Sequence, residues 1–270
     1  MNLDKYRVHP EQAIDLSKFD TDQDGGIKDS ELKKIRNNVW KELAEYQSRL
    51  YAESKQSLLV VLQAMDAAGK DSTLDKITKQ LNSHGCSVSS FKSPSKEEKS
   101  HDFLWRVHDK APEAGGITFF NRSHYEDVLI VKVHGWASEE KITKRYQHIN
   151  NFEELLADRG TKVIKFMLNI SPEYQLARFK NRLDYQEKNW KFNPGDLVER
   201  KRWKEYMQAF EIAMEKTSTE RAPWYVVPAE NRRFRDVMIA SVILENLKQM
   251  GPKYPMPDFD VTEFSSDSIS

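Results

Sequence analysis

Apolar positions along this chain recur with two different periods, and the changes of period mark its elements. Leu32, Ile35, Val39, Leu43, Tyr46 and Leu50 are spaced as one face of a helix, predicted over 31–54 with Asp29 or Ser30 as its cap. Residues 58–62 are then an unbroken apolar run, the pattern of a strand buried on both faces. Further short apolar runs at 87–91, 117–120, 162–169 and 223–228 predict four more strands. Helical patterns fall between them at 71–81 and 141–158, the latter ending at Gly160, and in a segment opened by Ser171-Pro172-Glu173. Asn193-Pro194-Gly195 interrupts the next region, after which Asp196, with Glu199 three residues on, is expected to cap a long helix. A last helix is predicted over 231–249, and residues 1–30 read as polar and irregular. Strands alternating with helices imply an α/β fold with a five-stranded parallel sheet between helices, whose ligands bind at the carboxyl ends of the strands.

The first of those strand ends carries the clearest chemistry. Residues 57–72 read SLLVVLQAMDAAGKDS, a strand delivering a loop of small residues and Gly69-Lys70 onto the start of a helix. Backbone N–H groups at a helix start together with a lysine form a cradle for phosphate, here Ala67, Ala68, Gly69, Asp71 and Ser72 around Lys70. The P-loop pattern G-x-x-x-x-G-K-[ST] is incomplete, because Ala64 and Asp71 replace its first glycine and its hydroxyl. Two carboxylates, Asp66 and Asp71, stand in the loop instead, and carboxylates beside phosphate call for a metal between them, Mg²⁺ by its preference for oxygen.

Two more clusters follow strands. After the third comes NRSHYED, in which Arg122 can fork phosphate oxygens and Glu126 or Asp127 can hold Mg²⁺ or its waters. His124 has no second histidine at metal spacing and reads as structural. In RFKNRLDYQEKNWKF, residues 178–192, Arg178 and Arg182 share a helix face and Lys188 and Lys191 follow, a basic lid suited to charge on a transferring phosphoryl group. Trp105, Trp190 and Phe192 are read as core rather than as base-stacking residues.

Composition narrows the class. In 270 residues, 42 Lys+Arg balance 42 Asp+Glu, so overall charge favours neither nucleic acid nor membrane as a partner, and cations for a polyanion must be concentrated locally. One cysteine, Cys86, excludes an intramolecular disulfide framework and fits a reducing compartment. Without a signal-like apolar N-terminus or a spanning apolar segment, the expected location is the cytoplasm.

The strings LQAMDAAGKDST, SFKSPS, HDFLWRVH, FFNRSHYEDVLIVKVH, EKNWKF-x-PGDL and TSTERAPWYVVPA resemble the polyphosphate kinase type 2 family, in order, and in particular its group acting on both AMP and ADP. The resemblance implies a P-loop kinase-like fold with a helical lid at about 178–200, on a domain spanning 55–255. Residues 1–54 would be an N-terminal extension and helix packed on it, and 256–270 a loose tail. It implies reversible Mg²⁺-dependent phosphoryl transfer between inorganic polyphosphate and AMP, ADP and ATP, by a homo-oligomer. By the same resemblance Asp66 is the loop aspartate, Lys70 the phosphate-binding lysine, Asp127 the leading Mg²⁺-holding acid with Arg122 beside it, and Arg178 and Arg182 the lid arginines. Ser72 stands where many relatives have Gly, and Asn121 where other branches have Asp. Two alternatives stay open. One is an ATP-dependent nucleoside monophosphate kinase. The other is a non-catalytic calcium module, since Asp20, Asp22, Asp24, Gly25 and Glu31 match an EF-hand loop.

Overall fold

A computed structural model describes residues 1–263, so the part of the expected loose tail from 264 to 270 lies outside the described residues. In chain order the elements are β1 (Arg7–Val8), α1 (Asp29–Glu53), β2 (Ser57–Ala64), α2 (Lys70–Thr78), β3 (Cys86–Ser90), the single turn α3 (Trp105–His108), β4 (Ile117–Asn121) and the single turn α4 (Ile130–Val133). There follow α5 (Glu139–Asp158), β5 (Thr161–Asn169), α6 (Pro172–Asp184), α7 (Pro194–Lys201), α8 (Trp203–Thr217), β6 (Trp224–Pro228) and α9 (Arg232–Met250).

The sheet runs β1-β6-β5-β2-β4-β3, with β2 to β6 parallel as expected. Its sixth strand is a correction to the reading of residues 1–30 as irregular. Arg7 and Val8 pair antiparallel with Tyr225 and Trp224, too short a segment to show a period. β2 is central, and residues 58–62 are wholly buried. Leu58, Val60 and Leu62 join the core under α1, α2 and α9, whereas Leu59 and Val61 join the core under α5 and α8. Side chains in a strand alternate faces, so covering both faces requires apolar residues at every position. α1 uses Leu32, Val39, Leu43 and Leu50 to pack into the same core as Phe234 and Val237 of α9.

Several ends differ from expectation. The residue before α1 is Lys28, without a side-chain cap, while Asp29 lies inside the helix and pairs with Arg233. Asn193 caps α7 by accepting from the Gly195 N–H, and Pro194 is its first residue, so the helix starts before Asp196. Arg202 (φ −97°, ψ 24°) then divides the expected long helix into α7 and α8. Trp105 and Trp190 are not core residues: Trp105 is 43% exposed and stacked on His101 at 4.2 Å, and Trp190 is 78% exposed.

The acidic loop at 20–31 keeps its carboxylates exposed and is held by short-range contacts. Asp20 accepts from the Asp22 N–H (3.0 Å) and Asp24 from the Gly26 N–H (2.9 Å). Thr21 O accepts from the Glu230 N–H (3.1 Å). Gly25 has φ +70°, and a Cβ there would stand 2.9 Å from the Phe234 ring. Among the described residues, no group of three or more His, Cys, Asp or Glu is arranged to hold a metal.

Candidate active site

The carboxyl ends of β2, β3 and β4 open into one cavity of about 400 Å³, roofed by the hairpin that follows β5. The loop after β2 contributes Asp66, Ala67, Gly69, Lys70, Asp71 and Ser72. β4 contributes Asn121 and Arg122, and the hairpin contributes Arg178, Arg182, Lys188 and Lys191. Three stretches of sequence far apart in the chain, 66–72, 121–122 and 178–191, thus meet as one basic basin. Ser90, Phe91 and Lys92, at the end of β3, also line it. Sequence reading passed over Lys92, although its place after a strand end was the available signal.

Lys70, the first residue of α2, is 8% exposed and donates to Ala64 O (3.0 Å). Burial lowers its pKa, and Arg122 adds to that, while Asp66, Glu126 and Asp71 oppose it. Two non-glycine residues take left-handed backbone here, Ala67 (φ 68°) and Arg122 (φ 59°). Such conformations cost of order 1–3 kcal/mol each and persist where the surroundings over-determine them. Arg122 Nη2 donates to Asp66 Oδ1 at 2.8 Å. Burial works against that guanidinium's charge, but Glu126 and Asp66 outweigh it and raise its pKa. Asn121 Nδ2 donates to Asp71 Oδ1 at 2.6 Å, so the amide at this position holds the second loop carboxylate.

Three predicted residues, Ala68, Glu126 and Asp127, are not in the lining of this cavity. Ala68 is buried and turns its carbonyl to Arg235, away from the cavity. Asp127 lines a neighbouring cavity of about 920 Å³ with Phe103, Arg106, Lys141, Arg145 and Phe152. Arg145 Nη1 donates to Asp127 O at 2.6 Å and lies 3.5 Å from its Oδ1. Burial raises the Asp127 pKa, against the pull of Arg145 and Arg106. Glu126, one residue earlier, instead feels Arg122, Lys70 and Asp66, and burial raises its pKa too. Gln63 of β2 donates to Glu126 Oε1 (2.9 Å) and accepts from Ser123 Oγ (3.0 Å) in the amide orientation that satisfies both ends. The segment His124–Asp127 is a 3-10 turn, and with three residues per turn adjacent side chains diverge by about 120°. That rotation turns Glu126 toward Arg122 and Lys70 and Asp127 into the neighbouring cavity, which no spacing argument could reveal.

The turn is anchored from below. Tyr125 Oη donates to Glu153 Oε1 (2.8 Å) and lies 2.9 Å from Thr217 Oγ1. Glu153 also pairs with the fully buried Lys165 of β5. Burial alone would raise the Glu153 pKa, but Lys165 and His124 reverse it and hold it below the ordinary value. His124, wholly buried, sits 3.4 Å from Glu153 Oε1, in keeping with a structural residue.

The hairpin is pinned over the loop. Arg182 Nη1 donates to Lys191 O (3.0 Å) and to Asp196 Oδ2 (3.1 Å). Arg200 Nη1 donates to Pro172 O (2.6 Å) and to Gln175 Oε1 (3.1 Å), and Gln175 Nε2 donates to Asp66 O (3.0 Å). Asp66 and Glu126 thus face the same cations. One or two carboxylates beside a phosphate cradle are the donor set with which Mg²⁺ is held, its remaining ligands being phosphate oxygens and water.

The family model for polyphosphate kinase 2 matches residues 26–255. The AMP/ADP-polyphosphate phosphotransferase of Meiothermus ruber is 43% identical over 259 residues, covering 95% of this chain and 97% of that protein. The ADP-polyphosphate phosphotransferase of Rhodopseudomonas palustris is 39% identical over 265 residues, covering 93% and 91%. The crystal structure of polyphosphate kinase 2 from Arthrobacter aurescens TC1 superposes with a TM-score of 0.92 at 40% identity, covering 96% of this chain and 93% of that one.

Proposed function

Because the chain belongs to the polyphosphate kinase 2 family, we propose that it transfers phosphoryl groups between inorganic polyphosphate and the adenine nucleotides AMP and ADP, with Mg²⁺. The observation that supports this most directly is the cavity at the strand ends, where Lys70, Arg122, Arg178, Arg182, Lys188, Lys191 and Lys92 converge within a molecule of zero net charge. A basin so biased suits the phosphates of two polyanions.

In the synthetic direction a terminal phosphate oxygen of ADP attacks the end phosphorus of the polymer. One P–O bond forms, the bridging P–O bond breaks, and the shortened polymer leaves with its electron pair. No covalent enzyme intermediate is needed, so catalysis consists of alignment and charge cancellation. Lys70 and the loop N–H groups hold the transferring phosphate, while Arg122 fixes its oxygens from the β4 side. Arg178 and Arg182 close over it from the hairpin. Asp66 and Glu126 would hold Mg²⁺, whose bound charge offsets repulsion between the two substrates. Asp66 serves first as a metal and positioning residue, since the attacking phosphate is largely ionised near neutral pH. The larger cavity, with Phe103 and Phe152 among cations, suits the nucleoside end of the acceptor, and Asp127 then orients Arg145 toward it.

The test is to mix the protein with Mg²⁺, ADP and long-chain polyphosphate and measure ATP, then repeat with AMP and measure ADP. Nucleotide formation without added ATP is the expected result. A folded sample that leaves polyphosphate untouched with both acceptors, yet phosphorylates AMP from ATP, would establish the nucleoside monophosphate kinase instead.

A further inference from the structure

Arg235, in the first turn of α9, is 1% exposed and is not among the residues lining the phosphate cavity. Its guanidinium lies against the back of the loop that forms that cavity. Nη1 donates to Ala68 O at 3.2 Å and Nη2 to Ser72 Oγ at 3.3 Å. Ser72 Oγ in turn donates to Gly69 O at 2.9 Å. Between those contacts the guanidinium packs on Gly69 so closely that a Cβ there would stand 2.3 Å from Nη1. Gly69 also has φ +104°, so both the space and the backbone conformation require glycine. On its other side Arg235 donates through Nε (2.9 Å) and Nη2 (2.8 Å) to Asp236 Oδ1. Asp236 also accepts from Thr73 Oγ1 at 3.2 Å and pairs with Lys76, both on α2.

A buried arginine is expensive to desolvate and is a poor way to gain stability alone. What this one provides is orientation. With the Ala68 carbonyl drawn back to Arg235, the loop does not turn that oxygen toward the cavity, where a carbonyl would repel phosphate. The Ser72 hydroxyl gives the same guanidinium a second hold one helical turn further on.

We propose that Arg235 is a positioning residue for phosphoryl transfer, which sets the loop 66–72 in its phosphate-receiving shape from behind without touching substrate. The proposal rests on the polyphosphate reading of the cavity. A lysine can keep the charge but cannot make the planar two-armed contact to Ala68 and Ser72. Displacing a reacting group by about 1 Å can cost roughly 100-fold in rate.

Two measurements on Arg235→Lys and Arg235→Met test it: turnover with ADP and polyphosphate at 25 °C on protein verified as folded, and tripolyphosphate affinity by calorimetry. Arg235→Met is expected to lose about 100-fold in kcat while its KM for ADP stays within about threefold. Arg235→Lys is expected to fall between it and the parent, and both should bind tripolyphosphate several-fold more weakly. If Arg235→Met does not fold, Arg235→Lys decides. A folded lysine variant with parental kcat and parental tripolyphosphate affinity, altered only in Tm, would show Arg235 to be structural and overturn the proposal. If the parent itself makes no ATP, the polyphosphate reading fails, and the calorimetry still reports whether Arg235 shapes an anion site.

Discussion

Lys70 carries the largest single expectation. It is buried at the start of α2 with its ammonium against the end of β2, and no other lysine stands in the loop itself. Lys70→Ala should lower kcat on the order of 10³-fold with Tm changed by no more than a few degrees; ATP formation and thermal melting check both halves. Glu126 offers a prediction in which stability and activity part company. Burial raises its pKa above the ordinary value of 4.5, and Arg122 and Lys70 reverse this only in part. Its contribution to stability is therefore fully present below pH 4.5 and is lost as pH rises through the raised folded-state value. Glu126→Gln mimics the protonated form, so it should melt higher than the parent at pH 7–8, with the difference vanishing below about pH 4.5. The same variant should lose roughly 10–100-fold in activity if the carboxylate holds Mg²⁺ or its waters. A melting series across pH with parallel assays distinguishes these effects. At this scale the sequence made the residue types plain, but not which acid of Glu126-Asp127 faces Lys70.

Elements are tied to one another by a few buried polar contacts that periodicity cannot show. Lys165 lies between the apolar, buried Val163, Ile164, Phe166 and Met167 of its strand, and α5 supplies Glu153 to meet it. Lys165 Nζ also donates to Thr217 O at 2.7 Å, linking the end of α8 to the same pair. Lys165→Met leaves the Glu153 carboxylate without its buried ammonium beneath the 3-10 turn, at a cost of about 3–5 kcal/mol. Chemical denaturation should show that loss, with activity falling as well because Glu153, to which Tyr125 donates, is no longer held by Lys165. The element pattern itself was largely legible: the five parallel strands, α1, α5, α6 and α9 follow from apolar spacing and from Ser171-Pro172. The misses have local causes. Asn193 outcompeted Asp196 as cap because Pro194 suits the first helical position, and Asp196 was drawn to Arg182. β1 escaped notice because two residues have no period.

Across the whole molecule the charges cancel, so attraction for a long polyanion comes from placement rather than total. Arg178 and Arg182 reach the cavity from α6, Lys92 from beyond β3 and Arg122 from β4. Cations gathered into a cleft act strongly at short range and are screened by salt. The KM for long-chain polyphosphate should therefore rise several-fold between 50 and 200 mM KCl at constant Mg²⁺, more steeply than the KM for ADP. Steady-state kinetics at several ionic strengths check this. Equal, shallow dependence for both substrates would mean that the basin does not hold the polymer. Among the described residues no helix is long and apolar enough to cross a membrane.

By itself the sequence determined the strand–loop–helix unit around Lys70, the parallel sheet and the three charged segments that follow strands, because apolar period and glycine placement are local properties of the chain. Only the tertiary structure decided which of those charges meet. The 120° step of a 3-10 turn separates Asp127 from Glu126, and an arginine 165 residues beyond Lys70 in the chain supports the phosphate loop from behind. Contacts of that kind depend on how layers pack across the sheet, and packing leaves no period in the sequence.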